Sequence, residues 1–396
     1  MKKNEFLMVL ITSLWALANT LSAVFVNVYL YTYTGSLVVM TIYCMIRIAQ
    51  FPMFFILGGK WAQRKGYAYP LSTGVIVSMM ALMYVLFMND RFAENSNLVY
   101  ISALLVGIGE GFFWLSVNSL HQIVSTPETR SRYLANIGIF NNICNIIAPI
   151  ISTFIINNSV SDIAGYITIF KFVLVIYVVI VIAAFQVNAK GVAKKFSVIK
   201  CLGIIRDRKW RRIMIMTFLY GMRDALILTL AGLLVYNATD GSGGLYSKLL
   251  TVFALITIAS YYFFSKKLKG KRMYGYFYIG AILMALSTIV LVLVPNIYGA
   301  IFYGIVNGLA SPMYANPYQI IAMDVINEYS HENMTGRVIA KEIYLSIGRC
   351  TGMLCIVASS FIFSPDVFLK VSVVFCSMFT IWTALYVHFT NDKVGH

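Results

Sequence analysis

Apolar residues run through this chain in long blocks separated by short polar stretches. Twelve blocks reach the ~20 residues that a helix needs to cross a hydrocarbon core. They fall at 6–31, 36–57, 70–88, 98–124, 132–157, 164–186, 213–236, 246–264, 274–294, 298–325, 338–363 and 367–389. Lipid offers an open backbone no hydrogen-bond partners, so each block is expected to be helical. The longest polar stretch, 187–212, lies between blocks six and seven, close to the middle of the 396 residues. The pattern predicts an all-α membrane protein: twelve transmembrane helices as two pseudo-symmetric six-helix bundles, 1–186 and 213–396, joined by a basic cytoplasmic linker, 187–212. The apolar run after Lys2-Lys3 is too long for a signal-peptide core and reads as a retained first span.

A duplicated chain should carry internal echoes. Gly107-Ile-Gly-Glu-Gly111 in span four matches Gly304-Ile-Val-Asn-Gly308 in span ten, and Gln122-Ile123 matches Gln319-Ile320, all at an offset of 197. Gly35-Ser36 and Gly241-Ser242 follow spans one and seven at an offset of 206. Short basic loops, Lys60–Gly66 and Lys266–Arg272, follow spans two and eight. Each match is weak alone; the ordered series supports duplication.

Composition agrees. Hydrophobic residues make up 60% and charged residues 12%, with a mean hydropathy of +0.79, against about 45–50% and 25% in soluble domains. The net charge of +16 would suggest nucleic acid in a soluble protein, but here the basic residues lie between apolar spans and no nucleic-acid partner is expected. With both termini inside, inner segments hold 23 of the 31 Lys and Arg and outer segments four. This asymmetry orients the chain in the cell membrane with cytoplasmic termini and lets the inner face meet anionic membrane lipids. The six cysteines include no CxxC pair, so neither a disulfide framework nor a metal site is expected, and no cofactor is implied.

Twelve spans as six plus six, a basic central loop, inner termini and a Gly/basic loop after span two resemble the major facilitator superfamily. The loop pattern of that family is Gly-x-x-x-Asp-Arg-x-Gly-Arg-Arg. Here Gly59, Arg64 and Gly66 match, Gln63 stands in place of the Asp, and Tyr67-Ala68 in place of the basic pair. The resemblance implies that this loop takes part in conformational change. In the family the Asp helps lock the two halves, so its absence leaves the locking contact to be found. Within the superfamily, LANTLSAVFVNVYL (17–30) and YGMRDALI (220–227) resemble a bacterial branch labelled YQGE-like. The resemblance also implies a central cavity lined by spans 1, 2, 4, 5, 7, 8, 10 and 11.

Ionisable residues inside spans cost ~2.5–3.5 kcal/mol each to insert and are functional candidates by default. Arg47, Glu110, Arg223, Asp224 and Arg349 sit near mid-depth, and Lys341 and Glu342 nearer the inner end of span eleven. Glu110, the lone mid-depth carboxylate of the first half, is a candidate proton carrier or the fixed ionic partner of Arg47. Asp224 is the second proton-coupling candidate. Adjacent residues on a helix diverge by ~100°, so Arg223 and Asp224 should each seek partners on neighbouring helices. Arg349 has no acid one turn away and is expected to be an unpaired central cation. Three guanidiniums against two carboxylates favour an anionic solute, while a buried structural network remains the alternative. Asn19, Asn142 and Asn145 can bond substrate or join helices, and Trp114, one turn after Glu110, is a cavity candidate.

No Walker motif, no carboxylate cluster at the span ends, no paired His/Asp and no repeated pore loop is present. The expected function is a secondary active transporter that moves a small solute by alternating access, with protons as coupling ion. The alternative is an integral-membrane enzyme or sensor without transport activity.

Overall fold

The computed structural model describes residues 2–34, 37–88, 91, 95, 97–160, 162–187, 195–203, 207–239, 243–268, 270, 272–328 and 333–391. Among these the ordered elements are all helices. Gly35-Ser36, Gly241-Ser242, residues 188–194 and 204–206 of the linker, and Lys393 lie outside the described residues.

In chain order the helices are α1 Lys3–Thr34, α2 Leu37–Ala49, α3 Phe51–Lys65, α4 Ala68–Phe87, α5 Leu98–Val124, α6 Pro127–Asn157, α7 Asp162–Gln186, α8 Val198–Gly203 and α9 Arg208–Leu226. They continue as α10 Gly232–Asn237, α11 Gly243–Phe264, α12 Arg272–Leu293, α13 Ile297–Glu328, α14 Met334–Ile362 and α15 Pro365–Asn391. All twelve predicted spans fall on helix. Span two is divided into α2 and α3, and span seven runs through α9, a π-helical turn at Ile227–Ala231, and α10. Among the described residues, ten helical stretches are long and apolar enough to cross a membrane by length and composition. The chain is a multi-pass membrane protein. Side chains such as Phe87, Ile150, Phe154, Val175 and Phe361 are exposed, as a lipid-facing surface requires.

Two local causes shape the helices used below. Pro52, in the first turn of α3, has no backbone N–H to donate, which divides span two at Gln50. At the start of α9, Asp207 accepts from the backbone N–H groups of Lys209 (2.9 Å) and Trp210 (3.3 Å), an N-cap. The Trp210 indole then donates to the Cys201 carbonyl at 2.8 Å and fixes α8 against α9.

The chain forms two compact units. The first holds Met1–Thr126, Phe140–Phe196 and His331–Ile339; the second holds Pro127–Ile139, Ser197–Ser330 and Ala340–His396. The repeat seen in sequence has a packing counterpart in each. A Cβ added at Gly107 of α5 would strike the Arg47 carbonyl oxygen of α2, and one added at Gly304 of α13 would strike the Phe253 ring of α11. In both units, therefore, a glycine on the fourth span admits the second span at close range.

Candidate functional site

The first site lies inside the first unit. Close contact at Gly107 lays α5 against α2, and Glu110, one turn on, reaches the Arg47 guanidinium. Arg47 Nε donates to Glu110 Oε2 at 2.5 Å and Nη2 donates to Oε1. Glu110 is buried, its side chain 4% exposed, whereas that of Arg47 is 33% exposed. The exposed part of Arg47 faces a cavity of about 140 Å³. Trp15 and Asn19 of α1, Tyr43 of α2, Leu82 of α4 and Tyr177 of α7 are among the residues that line it with the ion pair. Trp15 stacks on Phe113 at 3.7 Å and 13°. Its buried indole N–H has no hydrogen-bond partner among the described residues. The lining is thus mixed: Arg47, Asn19, Ser22 and Ser78 supply polar groups, and Ala81, Leu82, Val85 and Val106 apolar ones.

The second site lies in the second unit. Gly221 of α9 and Gly348 of α14 pack backbone to backbone: a Cβ on Gly221 would meet the Leu345 oxygen and the Arg349 nitrogen, and one on Gly348 would strike the Phe218 oxygen. This approach sets Asp224 beside Arg349. Arg349, expected to be unpaired, instead donates from Nη2 (2.8 Å) and Nε (3.1 Å) to Asp224 Oδ2, and from Nη1 (3.4 Å) to Glu342 Oε1. The reason is the interhelical distance, which spacing along one helix does not reveal. Arg223 and Asp224 do touch, at 3.5 Å, and the Arg223 guanidinium lies 5.4 Å from the centre of the Tyr314 ring. Of the three cations in this cluster, Lys341 is the one without a carboxylate within 4 Å among the described residues. Buried at 5% exposure, its ammonium donates to Gln319 Oε1 at 3.4 Å and lies 5.7 Å from the centre of the Tyr318 ring.

The other candidates disperse. Asn145 accepts from the Thr20 hydroxyl at 2.8 Å, and Asn141 from Ser13 at 3.4 Å, linking α6 to α1. Asn142 is half-buried on the same helix. Trp114 meets Phe113 edge to face at 5.3 Å. In the loop motif, Gly66 ends α3 with φ +87°, a conformation that favours glycine, and Arg64 is exposed. A Cβ on Gly59 would press on Phe196 and Ile339. Next to the missing Asp, the Tyr67 hydroxyl lies 2.5 Å from Thr335 Oγ1. The sequence reading assigned no role to Trp15, Tyr43 or Tyr177, or to the pairing of the fully buried Arg130 with Asp324. The abundance of aromatics (27 Phe, 26 Tyr) hid the first three.

The sequence profile of the Major Facilitator Superfamily matches residues 6–353, and the chain belongs to that family. It is 27% identical over 379 residues to the uncharacterized protein YqgE of Bacillus subtilis (strain 168), covering 93% of this chain and 86% of that one. Its fold is similar to that of a bacterial homologue of the iron transporter ferroportin (TM-score 0.74, 12% identity, 99% and 100% of the two chains). It is also similar to the E. coli fucose:proton symporter (TM-score 0.71, 12% identity, 98% of each). The protein is a secondary transporter by family and fold, not an enzyme.

Proposed function

We propose that the protein is a proton-coupled secondary active transporter of the cell membrane, both termini cytoplasmic, which moves a small, anionic solute by alternating access between the bundles 1–186 and 213–396. The observation that carries this reading is the Arg47–Glu110 pair: a buried carboxylate held by a partly exposed guanidinium on the wall of a solute-sized cavity. A fixed structural pair has no need of a cavity; a carboxylate that takes up and releases a proton beside bound solute does. Asp224, with Arg223 and Arg349, holds α9 to α14 as an ionic cluster that either moves as a body or opens in the cycle. Membrane potential supplies ~2.3 kcal/mol per charge per 100 mV to any step that moves net charge.

The test is flux in proteoliposomes. A pH gradient should drive accumulation of a transported solute, and Glu110→Gln should abolish accumulation while leaving a folded, inserted protein. Full gradient dependence in Glu110→Gln would remove Glu110 as the proton carrier.

A further inference from the structure

We propose that the cavity of the first unit binds a small monocarboxylate of about six heavy atoms, one per proton taken up by Glu110. The proposal rests on the transporter reading and adds its substrate class and stoichiometry.

Size comes first. A cavity near 150 Å³ accommodates a molecule such as benzene, and this one measures about 140 Å³. Its chemistry is two-sided. The Glu110 carboxylate occupies the Nε/Nη2 edge of Arg47, while the rest of the partly exposed guanidinium presents N–H donors. The same lining includes Ala81, Leu82, Val85 and Val106, which suit a short apolar body. The ligand defined by this lining carries acceptor oxygens at one end and carbon at the other.

Charge balance then fixes the coupling. Arg47 and Glu110 together are neutral. A carboxylate entering that pair would leave one negative charge in a buried space, a penalty of several kcal/mol. When Glu110 binds a proton, its carboxyl becomes neutral and the guanidinium is free to take the carboxylate of the solute, so neutrality is restored. No covalent bond changes: one proton and one anion enter together and leave together. The other titratable groups around Glu110 are Tyr43 and Cys44 of α2 and Tyr177 of α7. All three are neutral at ordinary pH, so Glu110 and Arg47 alone carry the charge.

The test uses pyruvate, which has six heavy atoms and stays anionic across the working range, with pyruvamide as its neutral counterpart. Binding to the purified full chain is measured by calorimetry from pH 5 to 8. Wild type should bind pyruvate, and its Kd should tighten up to tenfold per unit fall in pH while Glu110 is unprotonated. Pyruvamide should bind far more weakly and without that slope. Glu110→Gln, whose amide imitates the protonated carboxyl, should bind pyruvate with no pH slope. In proteoliposomes with the potential clamped by potassium and valinomycin, pyruvate uptake should follow the pH gradient and ignore the potential.

Absence of pyruvate binding, equal binding of pyruvamide, or an unchanged slope in Glu110→Gln overturns the proposal. Flux of an uncharged solute without pyruvate binding would do the same while sparing the transporter reading. Pyruvate binding as described without flux of any solute would sink the transporter reading and leave the carboxylate site standing.

Discussion

The cluster of the second unit separates two ways of counting charge. It holds three cations, Arg223, Lys341 and Arg349, and two carboxylates, Asp224 and Glu342. On charge alone, removing any one cation makes it neutral, so Arg349→Met and Lys341→Met should be equally benign. Geometry says otherwise. Arg349 spans both carboxylates at 2.8, 3.1 and 3.4 Å, whereas Lys341 has only the Gln319 amide at 3.4 Å and a ring face. Removing one partner of a buried pair costs ~3–5 kcal/mol because the other charge is left unpaired. Asp224 keeps a 3.5 Å contact to Arg223, and its side chain is 15% exposed, so the low end applies, about 3 kcal/mol for Arg349→Met. Lys341→Met replaces a buried charge with an apolar chain of similar length and should fall within about 1 kcal/mol of wild type, on either side. The difference, about 2–4 kcal/mol, is roughly a 30- to 800-fold change in the unfolding equilibrium. Reversible unfolding in mixed dodecyl sulfate micelles, followed by far-ultraviolet circular dichroism, measures it. Equal destabilisation by the two variants, or a loss above 2 kcal/mol in Lys341→Met, would refute the geometric reasoning.

Other substitutions address single contacts. Tyr67→Phe removes the hydroxyl bonded to Thr335 and should cost about 1 kcal/mol, read as faster proteolysis in the loop after α3; Arg64→Ala, on an exposed side chain, should leave that rate unchanged. Gly348→Ala drives a methyl into the Phe218 carbonyl of α9 and should destabilise by ~1–3 kcal/mol, seen as a lower midpoint in the same unfolding assay. Asn145→Ala leaves the Thr20 hydroxyl its second acceptor, Ala16 O at 2.9 Å, so the expected loss is below 1 kcal/mol with solute binding unchanged. A large loss of binding in Asn145→Ala would place that amide at the solute instead.

Much of this architecture was legible because lipid leaves a chain few choices. Blocks of apolar residues have to be helices; the basic stretch Lys60–Gly66, expected to be a loop, is instead helical to Lys65, where α3 ends. Glu110 and Arg47 were legible as possible partners because the first half offers no other mid-depth carboxylate. The second half offers more combinations, and spacing along α14 pointed to isolation of Arg349 because its nearer partner, Asp224, sits on another helix and Glu342 lies two turns back on its own. The usable signal was in the glycines: Gly221, three residues before Asp224, and Gly348, next to Arg349, mark where two backbones touch. The cavity walls were not legible at all, since Trp15, Tyr43 and Tyr177 differ from dozens of packing aromatics only in what lies between them.

The two ionic sites differ in when they are completed. Asp224 leaves the ribosome directly after Arg223, which lies 3.5 Å away in the finished fold, so it need never enter the bilayer unaccompanied. Arg47 precedes its carboxylate by 63 residues, which at synthesis rates of about 5–20 residues per second is a wait of roughly 3–13 s. During that interval the second span carries a bare guanidinium, and the insertion machinery has to retain it until the fourth span arrives.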